Sequence, residues 1–213
     1  MTIESTTNAQ SPVGIGEQLG LREGDALLVV DVQRDFLPGG SLPVPDGDQV
    51  IAPLNAYIAA FEAEGLPVFF TRCWHPEDHI SFQSSGGPWP PHCIEGTAGA
   101  DWPSELTVPD DAQVISKATD KQTEAYSGFS GTALQPLLEK RGVRRLFIGG
   151  LATDYCVHDT VIAALARRFA VVVLMDAVRG INAKPGDETR ALREMVERGA
   201  TLHARGHSQQ YAQ

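Results

Sequence analysis

Short, continuous apolar runs recur along this chain, each followed by a segment with helical spacing. That alternation limits the fold more than any other feature. ALLVVDV from Ala26 is apolar without alternating, the pattern of a parallel strand covered on both faces. DQVIAPLNAYIAAFEAEG from Asp48 puts Val50, Leu54, Ile58 and Phe61 on one helical face, with Gly65 as a stop. Further strands are read at LPVFFTR, AQVISK, RRLFIGGL, AVVVLMDA and ATLHA, and helices at TALQPLLEKRG, DYCVHDTVIAALARRF and GDETRALREMVERG. Strands alternating with helices of about 10–15 residues imply βαβ units, a parallel sheet and right-handed crossovers. The expectation is an α/β fold forming a single domain over residues 25–213, after a flexible N-terminal tail at 1–24. The stretch from His75 to Ala112 is too long for a plain connection and reads as an ordered, functional loop.

Charge and cysteine usage narrow the function classes. Lys plus Arg is 17 and Asp plus Glu is 27, giving a net charge of −10. An acidic surface argues against nucleic acid or an anionic membrane as partner. No apolar run approaches the roughly 20 residues of a membrane helix, and the polar start has no secretory pattern. Three cysteines in 213 residues suit free thiols in a reducing cytoplasm better than a disulfide framework. A small-molecule substrate is the expected partner, and a homo-oligomer is left open.

In open α/β sheets, ligands bind beyond the carboxyl ends of the strands. Asp31 follows the first strand, Cys73 and His75 the second, and Lys117 the third. Cys156 follows the fourth at a helix start, in GGLATDYCVHDT. A thiol there feels the positive end of the helix dipole, which favours the thiolate. Asp31 reads as a general base or a capping aspartate, Lys117 as a site cation or a snorkelling surface lysine, and Asp35 as a turn residue. Together a thiol, an ammonium and a carboxylate make a coherent nucleophilic site. Cys73, His75, His79 and His92 form a second candidate group, and three histidines with one thiolate suit zinc. Cys93 reads as a packing residue. Phe36, Trp74, Trp89 and Tyr126 read as core or as pocket residues; Trp89 and Tyr126 lie in loops near the same edge and could wall a flat aromatic pocket. No Gly-rich phosphate loop links a strand to a helix.

DVQRDF, TRCWHPEDHISF, GGPWPPHCIEGT, ISKATDKQTEAYSGFSGT and GGLATDYCVHDT, in this order and spacing, resemble the nicotinamidases of the isochorismatase-like cysteine hydrolases. The match runs from about Ala26 to His203. The resemblance implies a three-layer α/β/α fold with a six-stranded parallel sheet, and hydrolysis of nicotinamide, also pyrazinamide, in NAD salvage. It implies an Asp31–Lys117–Cys156 triad with Cys156 attacking the carboxamide, and an oxyanion held by the backbone N–H groups of Ala152 and Cys156. It places a cis peptide at Leu151–Ala152. It implies one divalent ion, zinc first with iron or manganese as the other candidates, held by His75, His79, His92 and the residue at position 73, here Cys73, which is either a ligand or a spectator. The substrate residues would be Phe36, Trp89 and Tyr126. The chain departs from the family at Cys73, where aspartate is usual. A thiolate would keep the charge and bias the site towards zinc. The alternatives are a related amidohydrolase for another small amide, such as an N-carbamoyl compound, and a non-catalytic zinc or redox-sensing protein.

Overall fold

Each apolar run becomes one strand of a single sheet. In the computed structural model, which describes residues 14–205, the strands are β1 (Asp25–Val30), β2 (Val68–Cys73), β3 (Gln113–Lys117), β4 (Arg145–Leu151), β5 (Ala170–Arg179) and β6 (Thr201–His203). All pairings are parallel, in the order β3-β2-β1-β4-β5-β6. Every residue of β1 is buried, as the unbroken run predicts for a strand covered on both faces. Burial fades outward to β3 and β6, the two edges.

The helices are α1 (Ile15–Leu19), α2 (Ile51–Ala63), α3 (Leu134–Lys140), α4 (His158–Ala166) and α5 (Asp187–Glu197). The chain steps outward from β1 to β2 in one direction and from β4 to β5 in the other. Right-handed crossovers therefore put α2 and α4 on opposite faces. Leu54, Tyr57, Ile58 and Phe61 of α2 are all buried, which is the apolar face read from the sequence with Tyr57 added.

Element starts differ from the sequence expectation for identifiable reasons. The helix expected from Asp48 begins at Ile51, after a 3₁₀ turn at Gly47–Val50. Pro53 and Pro136 have no N–H to donate, so both fall in the first turn of their helices, where none is needed. The helix expected from Asp154 is split: Thr153–Val157 forms a widened π-type turn before α4 begins. Part of the expected tail is structured, since α1 lies within it and Leu19 is buried. Residues 1–13 of that expectation lie outside the described residues.

The sheet has its topological switch between β1 and β4, the position at which this fold class binds ligands. Two features keep β4 close there. Gly150 has φ +127°, and a Cβ on it would overlap the carbonyl oxygen of Val30 on β1. The turn after β4 is braced by α5 and the segment before it. Thr153 donates to Glu188 at 2.8 Å, and Asp154 accepts from the backbone N–H groups of Ile181 at 2.9 Å and Asn182 at 2.7 Å. His158, at the start of α4, bridges to Asp159 at 2.9 Å and to Glu194 on α5 at 3.1 Å.

Gly150→Ala is expected to destabilise the fold by more than about 3 kcal/mol, through both the backbone conformation and the overlap. Urea denaturation measures it. His158 gives a pH signature. Its hydrogen bond to Asp159 raises its pKa, burial opposes this, and the bond to Glu194 adds to the rise. A folded-state value above the ordinary ~6.5 means its contribution is full below about pH 6.5 and is lost as pH rises through the raised value. Thermal unfolding of wild type and His158→Gln should therefore diverge at acid pH and converge at alkaline pH.

Candidate active site

Strand register brings the first cluster together. Val30 pairs with Thr71 on one side and with Gly150 on the other, and Cys73 pairs with Lys117. Asp31 follows directly, in a left-handed conformation at φ 49°, which aspartate tolerates better than most residues. Its Oδ2 lies 2.9 Å from Lys117 Nζ, and both side chains are fully buried. The Thr71 hydroxyl donates to Asp31 Oδ1 at 2.6 Å. Lys117 also donates to the Ala125 carbonyl at 3.0 Å, and its Nζ lies 3.0 Å from Cys73 Sγ and 3.4 Å from Cys156 Sγ. Sequence reasoning expected Asp31, Lys117 and Cys156 together, and the structure brings them together. The bland alternative of a snorkelling surface lysine does not hold.

The charge states differ from the simplest expectation. Burial alone would lower the Lys117 pKa, but the Asp31 carboxylate and the Cys156 and Cys73 sulfurs outweigh it and hold Lys117 well above its ordinary value. Cys156 is also raised: its hydrogen bond with Cys73 and its burial together outweigh Lys117, which favours the thiolate. The resting nucleophile candidate is a neutral thiol. The helix-dipole argument read from the sequence is weaker than expected, because Cys156 sits within the widened turn before α4 rather than on the first turn of that helix.

The second cluster lies beside the first. His75, His79 and His92 are buried. The His75 ring centroid lies 4.5 Å from that of His79 and 4.7 Å from that of His92. His75 Nδ1 sits 3.0 Å from the His92 carbonyl, and His92 Nδ1 sits 2.8 Å from the Pro90 carbonyl. A carbonyl accepts only, so both Nδ1 atoms carry the hydrogen and both Nε2 lone pairs are free, the arrangement typical of metal-ligating histidine. Burial, with the neighbouring His92, His79 and Lys117, pushes His75 down to about 3. It is a neutral donor at ordinary pH. His79 has the reverse tautomer. Its Nε2 faces the Thr123 carbonyl at 3.2 Å, and its Nδ1 takes the Ser81 backbone N–H at 3.2 Å beside the Ser81 hydroxyl at 2.7 Å. Its proximity fits a ligand, whereas its present hydrogen bonds engage its lone pair.

Two donor groups emerge among the described residues. One joins His75, His79 and Glu124; the other joins Asp31, Cys73 and Cys156, the donor atoms within each lying inside 4.8 Å of one another. The buried imidazoles of the first suit a divalent ion. Cys73, read from the sequence as a metal ligand, is placed here with the triad. Gln33 fixes its backbone, accepting the Cys73 N–H at 2.8 Å and donating to the Cys73 carbonyl at 2.8 Å.

Residues of both clusters, Cys73 and Cys156 from the first and His75 and His92 from the second, meet in the wall of one pocket. Phe36, Trp89, Tyr126, Cys73, His75, His92, Ala152 and Cys156 line it, and so do Leu42, Glu124, Tyr155 and Ile181. Trp89 Nε1 donates to the Tyr126 hydroxyl at 2.9 Å, and Tyr155 packs against both rings. The peptide Leu151–Ala152 is cis. Sequence reasoning missed Thr71, Gln33, Glu124 and Tyr155. Only Tyr155, adjacent to Cys156 in the turn after β4, carried a local signal. Asp35, read from the sequence as a turn or capping residue, accepts the backbone N–H of Cys93 at 2.7 Å and of Ser41 at 3.2 Å.

Removing one member of a fully buried ion pair strands the other. Lys117→Met is expected to destabilise the protein by about 3–5 kcal/mol, and adding Asp31→Asn should recover most of that loss. Urea denaturation of the two single variants and the double variant measures the coupling.

The chain is similar to known proteins over most of its length. The isochorismatase domain model matches residues 25–205. The nicotinamidase of Escherichia coli is 36% identical over 199 residues, covering 84% of this chain and 93% of that protein. The nicotinamidase/pyrazinamidase of Mycobacterium tuberculosis is 40% identical over 169 residues, covering 74% of this chain and 88% of that protein. Among solved structures, the pyrazinamidase of Pyrococcus horikoshii in complex with zinc superposes with a TM-score of 0.82 at 52% identity, covering 85% of this chain and 99% of that one. The chain belongs to the isochorismatase domain family.

Proposed function

We propose that this protein is an amidohydrolase that converts nicotinamide to nicotinate and ammonia, and accepts pyrazinamide, in NAD salvage. The observation that carries this reading is a thiol–ammonium–carboxylate cluster beside a buried histidine cluster, with Cys156, His75 and His92 lining one aromatic-walled pocket. The sequence similarity to nicotinamidases over most of the chain points the same way.

Cys156 Sγ is the nucleophile. Its thiol rests neutral, so attack on the carboxamide carbon is coupled to loss of its proton. Asp31 is the base within reach, and Lys117 offsets the charge of the departing thiolate without giving up its own proton. The tetrahedral oxyanion lies at the backbone N–H groups of Ala152 and Cys156. Asp31 returns the proton to the leaving ammonia. It then takes a proton from the water that cleaves the thioester. Phe36, Trp89 and Tyr126 sandwich and border the flat ring, and Tyr155 supports the last two.

The divalent ion is assigned to His75 and His92, whose Nε2 lone pairs are already oriented, with His79 joining after a change of tautomer and Glu124 as the nearby oxygen donor. Bound there, zinc would hold a ring nitrogen and withdraw electrons from the amide. A thiolate contact from Cys73 would appear as sulfur scattering in zinc-edge X-ray absorption. With the ion on the histidines, nitrogen and oxygen scatterers alone are expected.

Purified protein is expected to release ammonia from nicotinamide, and Cys156→Ala to lose at least about 10³-fold of that rate. An ammonia assay with reduced thiols and added zinc tests both. Absence of release from nicotinamide, with release from an N-carbamoyl compound, would transfer the same triad to another amide. Activity in Cys156→Ala would remove the mechanism.

A further inference from the structure

The hydrolytic cycle needs one thiol, yet two face the buried ammonium. Cys73 and Lys117 are register partners at the carboxyl ends of β2 and β3, so their side chains leave the sheet side by side. Lys117 Nζ lies 3.0 Å from Cys73 Sγ and 3.4 Å from Cys156 Sγ. The two sulfurs lie within 4.8 Å of each other, and both residues line the ligand pocket while Cys93 does not. Cys73 Sγ also lies 3.7 Å from Asp31 Oδ2, a carboxylate that can receive its proton.

We propose that Cys73 is a resolving thiol, which closes a reversible disulfide with Cys156 when a small hydroperoxide enters the pocket. Each bond change follows from these positions. Asp31 takes the Cys156 proton, and the thiolate attacks one oxygen of hydrogen peroxide. The O–O bond breaks, sulfur is oxidised by two electrons to the sulfenic acid, and the departing hydroxide takes up the proton to leave as water. Cys73 then loses its proton and attacks the Cys156 sulfur. The S–O bond breaks, the S–S bond forms, and the hydroxide leaves with that proton as a second water. Two thiols and one peroxide thus give one disulfide and two waters. An external dithiol reverses the bond by exchange, regenerating both thiols and becoming a disulfide itself.

Lys117 assists both steps because it neighbours both sulfurs and stabilises whichever is the thiolate. Closure brings the sulfurs to about 2.05 Å. Gln33 holds the Cys73 peptide on both its N–H and its carbonyl, so side-chain rotation at Cys73 and adjustment of the turn that carries Cys156 supply the movement. The consequence is protective. A sulfenic acid without a neighbouring thiol proceeds to the sulfinic acid, which dithiols do not reduce. This inference rests on the histidine assignment of the ion, which leaves the Cys73 thiol free, and it does not depend on which amide is hydrolysed.

The test uses the full chain with its metal. The protein is treated with graded hydrogen peroxide, its remaining thiols are alkylated, and its mass and unreduced peptides are mapped before and after dithiothreitol. The expected product has lost two hydrogens, contains a cross-linked peptide joining Cys73 to Cys156, and returns to its starting mass with dithiothreitol. Under the same dose, Cys73→Ser should instead gain two or three oxygens on Cys156 that dithiothreitol does not remove. Cys93→Ser should behave as wild type. Irreversible oxidation of Cys156 in wild type with Cys73 still open to alkylation would overturn the proposal. So would a cross-link running through Cys93. The mass readout needs no substrate, so failure of this inference is separate from failure of the amidase reading, which shows in ammonia release by the reduced protein.

Discussion

A carboxylate and an ammonium with no access to water hold the centre of this molecule. Asp31 directly follows β1 and Lys117 ends β3, with β2 between them, so their contact at 2.9 Å reaches over a whole strand at the carboxyl edge of the sheet. Neither charge could be buried alone. The remaining polar groups nearby are arranged to complete them: Thr71 donates to the carboxylate, and Ala125 accepts from the ammonium. Because Lys117 is held in its charged form, it acts on the thiols as a fixed positive charge. Asp31 is then the one group of the triad free to move a proton. Structure and chemistry depend on the same contact, and the backbone devices around it serve to keep it in place.

The neighbouring histidine cluster has the opposite electrostatic character. It is buried, and burial keeps His75 neutral down to about 3 and pushes His92 down as well. Its function depends on lone pairs rather than charge. Two backbone carbonyls fix those lone pairs by accepting the Nδ1 hydrogens of His75 and His92. A pocket with a charged, proton-moving end and a neutral, lone-pair end is suited to a flat heteroaromatic amide. Such a molecule presents an electrophilic carbon at one end and a ring nitrogen at the other.

The parts of this arrangement that were legible in the sequence share a physical reason. Strands buried on both faces leave unbroken apolar runs, so the strand ends were readable, and with them Asp31, Cys73, Lys117 and Cys156 as residues at one edge. What was not legible depends on three-dimensional neighbours with no local signature. Gln33 looks like an ordinary polar residue in VVDVQRDF, but clamps the Cys73 peptide 40 positions away. Thr71 looks like a strand residue and serves as a carboxylate donor. The tautomer of His79 is set by Ser81, two residues on, and by Thr123, 44 residues on. No spacing rule reports it. The neutral state of Cys156 escaped the sequence for a related reason. A helix start was read where the chain makes a widened turn, and the dipole argument was attached to that start.

Cys73 shows how one residue changes the balance of such a site. The resemblance places an aspartate at this position, and a carboxylate there would face Lys117 as a second anion beside Asp31. The cluster would then carry one net negative charge, and forming a thiolate at Cys156 would add another. With a neutral thiol at Cys73, the positive and negative charges of Lys117 and Asp31 balance. More of the field of Lys117 is then available to the Cys156 thiolate as it forms. The change has a second effect that charge alone does not reveal. An aspartate beside the nucleophile is inert to peroxide, whereas a thiol can capture an oxidised sulfur. The same exchange that places a thiol beside Cys156 supplies the partner that can make its oxidation reversible.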